Sequence, residues 1–170
     1  MKLALNIGSG QRPFKSVFDE VQWINVDSVE SWNPDLVCDG SSLPYQDESV
    51  DFVVLHHVLE HFGCNEGAGL LKEAHRVLKR GGLLQIFVPN IRELAIGWLN
   101  GKISTQIFLT NVYGAYMGHE EDRHKWNFDQ ESLWDFAGQE QWTSYSNRCR
   151  TLPGSDCAHD WWILEMECRK

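Results

Sequence analysis

Short apolar runs, each closed by a polar or glycine turn, recur through the first 90 residues. Residues 2–7 (KLALNI) end at Gly8-Ser9-Gly10, 21–26 (VQWINV) at Asp27, and 35–38 at Asp39-Gly40. Residues 50–55 (VDFVVL) end at His56-His57, and 83–88 (LLQIFV) close on Pro89-Asn90. The fourth run is nearly all apolar, as expected of a strand covered on both faces. Between the fourth and fifth runs, Leu70, Leu71, Ala74, Val77 and Leu78 make one helical stripe. Lys79 and Arg80 are expected in that helix's last turn, with Gly81-Gly82 stopping it. Strands alternating with helices predict an α/β fold with a mostly parallel sheet. Beyond Pro89 the pattern predicts helices at 91–100 and 130–137, a polar and aromatic loop at 113–127, and closing strands at 141–146 and 161–167.

Composition narrows the partners. The chain has 170 residues and a formal net charge of −9, so a phosphate backbone meets a repulsive surface. The only basic clusters are short pairs, Lys79-Arg80 and Arg169-Lys170, which makes nucleic acid an unlikely partner. The five cysteines contain no Cys-x-x-Cys pair and are odd in number, which points to reduced thiols and a cytoplasmic setting. The chain opens directly on a strand, with no leader pattern. No run of 18 apolar residues exists, so no membrane partner is expected.

The unusual residues stand where the strands end. In open parallel sheets, ligands bind at the carboxyl ends of the strands. Glycine after the first strand lets the backbone turn sharply and approach a ligand closely. Asp27 ends the second strand, where a carboxylate can accept from both ribose hydroxyls. Asp39 ends the third, placed to meet an adenine edge, and His56-His57 end the fourth. Singly, each signal is weak, because Gly-x-Gly is commonly a plain turn and a strand-end Asp commonly a cap. Together they point to a nucleoside-shaped ligand.

Longer motifs sharpen this. LPYQDESVDFVV (43–54) leads into HVLEH (57–61), and EAHRVLKRGG (73–82) follows. This stretch resembles the class I S-adenosylmethionine-dependent methyltransferases, in particular the small type 11 group. The resemblance covers residues 3–90 strongly and 91–170 loosely. It implies a Rossmann-like methyltransferase fold, a seven-stranded sheet with its last strand antiparallel, and S-adenosylmethionine as cofactor. It implies one domain over 1–170: a cofactor half at 1–90, a substrate-selecting insert at 91–140, and closing strands at 141–170. By position, Gly8, Ser9 and Gly10 would wrap the methionine part, with Asn6 where an acidic residue is usual. Asp27 would hold the ribose, and Asp39 and Gly40 would face the adenine. His56 would lie near the sulfonium, and His57 would serve as base or substrate orienter. In the insert, Tyr113, His124 and Trp126 are the expected substrate contacts, with Tyr116, His119 and Lys125 beside them. The run Glu120-Glu121-Asp122-Arg123 reads as a solvated face. Arg12-Pro13 replace the third glycine, and only ten residues separate Gly10 from Val21. The first helix is therefore shortened, one flank of the sheet is thinly covered, and a second copy of the chain is a possible cover.

The acceptor expected is a small molecule or glycan, methylated at oxygen or nitrogen. No Asn/Asp-Pro-Pro-Tyr follows the fourth strand, which argues against base-flipping chemistry. His57-Val58-Leu59-Glu60-His61 fits the His-x-x-Glu-His pattern of a zinc peptidase, but Gly63 cuts the helix such a site needs, so no metal is expected. A nicotinamide-dependent dehydrogenase lacks its third glycine here. A methyltransferase fold that binds without transferring is the remaining alternative.

Overall fold

The computed structural model describes residues 1–15, 20–115, 119–138, 141–149 and 162–170, and only the backbone of 144–149. Seven strands join one sheet in the order β3-β2-β1-β4-β5-β7-β6. They are β1 (Lys2–Ile7), β2 (Val21–Asp27), β3 (Leu36–Val37), β4 (Val50–His56), β5 (Leu78–Pro89), β6 (Ser144–Cys149) and β7 (Ile163–Arg169). The first five pair in parallel, and β7 runs antiparallel to both β5 and β6. This is the Rossmann-like methyltransferase topology expected from the sequence, with strand order reversing between β1 and β4. The two closing strands lie two to three residues beyond the predicted 141–146 and 161–167.

Period-two alternation divides the apolar residues between two faces. Leu5, Ile7, Val53, Leu55, Leu84 and Ile86 point to one side, where α1 (Cys64–Val77) and α4 (Gln130–Ala137) cover them with Leu70, Leu71, Ala74, Leu133 and Phe136. Val54 and Phe87 point to the other, against Leu94 of α2 (Ile91–Leu99), Ile103 and Trp162. Phe14 and Trp23 pack edge to face there, with ring centroids 5.0 Å apart. From the described part of the link between β1 and β2, Phe14 packs on this second face. An apolar groove of about 340 Å³ lined by Val21, Trp23, Phe52 and Leu83 lies along it.

Two elements differ from the pattern-based expectation. Helix α1 ends at Val77, and Lys79 and Arg80 belong to β5. Leu78 is fully buried and pairs with Val50. The register then jumps, so Phe52 faces Leu83, and Gly81 at φ +76° helps turn the bulge between. The glycine pair bends a strand instead of stopping a helix. Secondly, 105–113, where the pattern predicts no helix and starts a loop at Tyr113, forms α3 (Thr105–Tyr113), capped by the Ser104 hydroxyl accepting from Ile107 N.

Candidate active site

A cavity of about 350 Å³ opens at the carboxyl ends of β1, β2 and β4, a volume within the usual range for small-molecule sites. Gly8, Gly10, Asp27, Ser28, Trp32, Asp39 and Gly40 line one half. His57, Val58, His61 and Phe62 line the opposite wall, and Glu121, Asp122 and Lys125 reach it from the 91–140 insert.

Two glycines let the cavity's floor pack closely. Gly8 has φ +67°, and a Cβ there would stand 2.5 Å from Cγ2 of Val58. A Cβ on Gly40 would stand 2.6 Å from Cγ2 of Ile7. Gly10 has φ +52° but open space around it, so the conformation alone selects glycine there. Asp27 fastens the loop: Oδ2 accepts from Gly10 N at 2.8 Å and Oδ1 from Val29 N at 2.9 Å. Each oxygen keeps a second lone pair for a ligand hydroxyl. Asp39 Oδ1 accepts from the amide and hydroxyl of Ser41, both at 2.8 Å, an Asx turn that aims the carboxyl at the cleft. Trp32 meets His119 edge to face, 5.2 Å between centroids, so the insert touches the cofactor half across the opening.

The opposite wall is built on a strained turn. His57 has φ +56°, in the left-handed region that non-glycine residues seldom enter. Its amide donates to Phe87 O at 2.9 Å, and its Nδ1 lies 3.1 Å from Glu60 Oε1. Glu60 is 1% exposed, and its carbonyl accepts from Lys125 N and Trp126 N, holding the insert in place. Burial pushes the Glu60 carboxyl up. The His57 hydrogen bond, with the neighbouring imidazoles of His57, His61 and His124, outweighs that and holds it below its ordinary value. With Nδ1 turned to a carboxylate, Nε2 of His57 is the ring nitrogen left for chemistry.

Charge around the cavity is one-sided. Asp27, Asp39, Glu121 and Asp122 face it, whereas Lys125 is the lysine present and lies 3.3 Å from Glu66. Such a cleft favours a cationic ligand and disfavours phosphates.

Some expected site residues stand elsewhere. Asn6 is buried and donates through Nδ2 to Asn25 Oδ1 at 3.0 Å, so its NH2 group is engaged inside the sheet. Ser9 is buried beneath the loop, and its Oγ has no hydrogen-bond partner among the described residues. His56 points to the opposite face of the sheet, because β4 alternates, and packs between Phe87 at 5.2 Å and Phe14 at 6.3 Å. Burial first, and the neighbouring His57 second, push its pKa down to about 4, so it is a neutral aromatic spacer. Tyr113 and Trp126 are exposed and line no part of the cavity. His124 sits behind the wall, 4.8 Å from the His61 ring. Tyr116 lies outside the described residues. Conversely, Glu121 and Asp122, read as a solvated face, border the cleft. Glu60 was passed over because one acidic residue inside a short motif carries no sign of burial.

The other motif residues are structural. Arg76 donates to Leu43 O, Tyr45 O, Asp47 and Glu73, while Glu73 Oε1 accepts from Leu43 N. Asp51 accepts from Leu3 N and pairs with Lys79 at 2.8 Å.

Comparison with known proteins finds a family model that matches part of the same stretch. Residues 18–86 match the family model described as "Methyltransferase domain". The chain is 34% identical over 84 residues to the 25S rRNA (adenine(645)-N(1))-methyltransferase of Schizosaccharomyces pombe, a match over 48% of this chain and 26% of that protein. The fold resembles a SAM-dependent methyltransferase from Archaeoglobus fulgidus, with TM-score 0.69, 14% identity, and coverage of 99% of this chain and 86% of that one. It also resembles the Burkholderia thailandensis 1,6-didemethyltoxoflavin-N1-methyltransferase, solved with 1,6-didemethyltoxoflavin and S-adenosylhomocysteine bound. There the TM-score is 0.65 and the identity 17%, covering 99% of this chain and 70% of that one.

Proposed function

We propose, starting from a chain that carries a class I methyltransferase domain of the type 11 group, that it transfers a methyl group from S-adenosylmethionine to a small-molecule or glycan acceptor, at oxygen or nitrogen. The observation that carries this is the cleft at the switch in strand order, bordered by Gly8 and Gly40, which pack too closely on Val58 and Ile7 for a Cβ, and by Gly10, which faces open space. The residues present fit the cofactor. Gly8 and Gly10 let the backbone approach its amino-acid part, Asp27 takes the ribose hydroxyls, and Asp39 and Gly40 flank the adenine. Asp27, Asp39, Glu121 and Asp122 supply the negative field that suits a sulfonium cation.

When bound, S-adenosylmethionine supplies an electrophilic methyl carbon on a good leaving group. The chain's own task is to align and desolvate the acceptor. The insert forms the wall from which the acceptor enters, with Lys125 on its rim. His57, held by Glu60, orients the acceptor and takes its proton where that proton has a high pKa. The reading is a cytoplasmic one, in keeping with Cys38, Cys64 and Cys168, which are free thiols. No helix among the described residues is long and apolar enough to cross a membrane.

The yeast relative acts on rRNA, yet its match covers 48% of this chain, and a carboxylate-ringed cleft disfavours phosphates. The acceptor class is tested by offering methyl-labelled S-adenosylmethionine with pooled small metabolites and glycans, and separately with rRNA. Label in the low-mass or glycan fraction, with matching S-adenosylhomocysteine release, is expected; label in the rRNA alone contradicts the acceptor class. One observation favours the second reading, binding without transfer: Asn6, tied to Asn25 through Nδ2, offers the ammonium group no charge. That reading expects S-adenosylhomocysteine to bind and no acceptor to be methylated.

A further inference from the structure

We propose that Glu60, His61 and His124 bind one divalent transition-metal ion of the zinc class, which pins the 119–126 segment to the turn after β4. One donor atom from each of the three lies within 4.8 Å of the other two. Glu60 and His61 come from the 3₁₀ turn Leu59–His61, and His124 comes from the far side of the insert.

The carboxylate has an open position. Glu60 Oε1 meets His57, but Oε2 is buried with no hydrogen-bond partner among the described residues. A buried carboxylate oxygen without a donor is costly and signals a bound water or ion. The two imidazoles do not fill the gap with protons. His61 Nδ1 faces Arg123 O at 3.2 Å, and His124 Nδ1 faces Asn111 O at 2.7 Å. A carbonyl only accepts, so each Nδ1 carries the ring's hydrogen and each Nε2 keeps its lone pair. A neutral ring in that tautomer has no N–H left for Glu60.

An imidazole fixed at Nδ1 by a carbonyl is the usual outer support of a metal-binding histidine. Two nitrogens and one carboxylate suit zinc and its neighbours rather than calcium or magnesium, which take oxygen. Tetrahedral zinc, with bonds of about 2.0–2.1 Å, holds its donors roughly 3.3 Å apart, so the side chains close in by about 1.5 Å at most. This site departs from the sequence expectation of no metal. The His-x-x-Glu-His pattern of a zinc peptidase needs a helix carrying both histidines, here His57 and His61. On a 3₁₀ turn, Glu60 and His61 face a third donor far along the chain. Because the same insert brings Glu121, Asp122 and Lys125 to the cavity, metal occupancy would fix that wall.

The test is a titration of cobalt(II), without any cofactor, into chelator-stripped protein, read by visible absorption and then by zinc displacement. The expected result is one ion per chain, ligand-field bands without a thiolate charge-transfer band, and a zinc-dependent rise in Tm. His124→Ala and His61→Ala should each weaken binding at least about 100-fold, whereas Cys64→Ser leaves it unchanged. Circular dichroism in chelator shows which variants fold, and His61→Ala, on the half-exposed ring, answers if His124→Ala does not. No stoichiometric binding, a thiolate band, or undiminished affinity in a folded His variant overturns the site. The readout needs no methyl transfer, so its failure leaves the proposed activity standing, and the reverse holds too.

Discussion

Gly8 and His56 are neighbours of the cavity floor with opposite lessons. Gly8 meets both demands that exclude a side chain, a positive φ and a Cβ position 2.5 Å from Val58. Gly8→Ala is expected to cost about 2–3 kcal/mol, the sum of left-handed strain and a displaced valine, read as a shift in urea midpoint. His56 is a titration device inside an aromatic cluster. Its folded pKa of about 4 lies below the ordinary histidine value, so the unfolded chain binds the proton first as pH falls. The stability it contributes is complete above about pH 6.5 and is lost toward pH 4. His56→Phe should therefore flatten the fall in stability between pH 7 and 4.5 by about 2 kcal/mol; an unchanged pH profile in urea unfolding would count against the buried neutral ring. The sequence placed His56 at the right strand end. It did not give the face, because a one-residue change of parity at the end of β4 sends the ring to the core and His57 to the cleft.

At the scale of elements, the parallel core was legible because apolar runs and strand-end polar residues repeat together. β1 and α4 begin and end where their patterns do. The misread boundary at α1 has a physical source: Leu78 continues the helical stripe by spacing but is claimed by Val50 in the sheet. Helix α3 was hidden because Thr, Ile, Phe, Val and Tyr favour strands. Stacking of Phe108 on Trp98 of α2, 5.0 Å between centroids, helps decide it as a helix. The motif residues Glu73 and Arg76 act at this scale, binding α1 to the loop before β4. Arg76→Ala strands the carbonyls of Leu43 and Tyr45 and frees Glu73. The expected cost is about 2 kcal/mol in chemical denaturation, with any cofactor affinity reduced only as the fold loosens.

Over the whole molecule, the cofactor half and the insert meet across one acidic cleft. The first was readable from local signals, glycines at turns and carboxylates at strand ends. The second was not, because Glu121 and Asp122 reach the cavity only through contacts distant in sequence: His119 against Trp32, and Glu60 O accepting from Lys125 N and Trp126 N. A solvated acidic run and a cleft-lining one look alike until those contacts form. The account's central claim is that this cleft is a nucleoside site. Calorimetric titration with S-adenosylhomocysteine tests it most directly. The expected outcome is one site per chain with Kd in the micromolar range, on the order of −8 kcal/mol, weakened at least about tenfold in Asp27→Ala, a loss of roughly 1.4 kcal/mol. A folded protein that gives no binding heat at millimolar ligand, or an Asp27→Ala variant that binds as well as the parent, would contradict it.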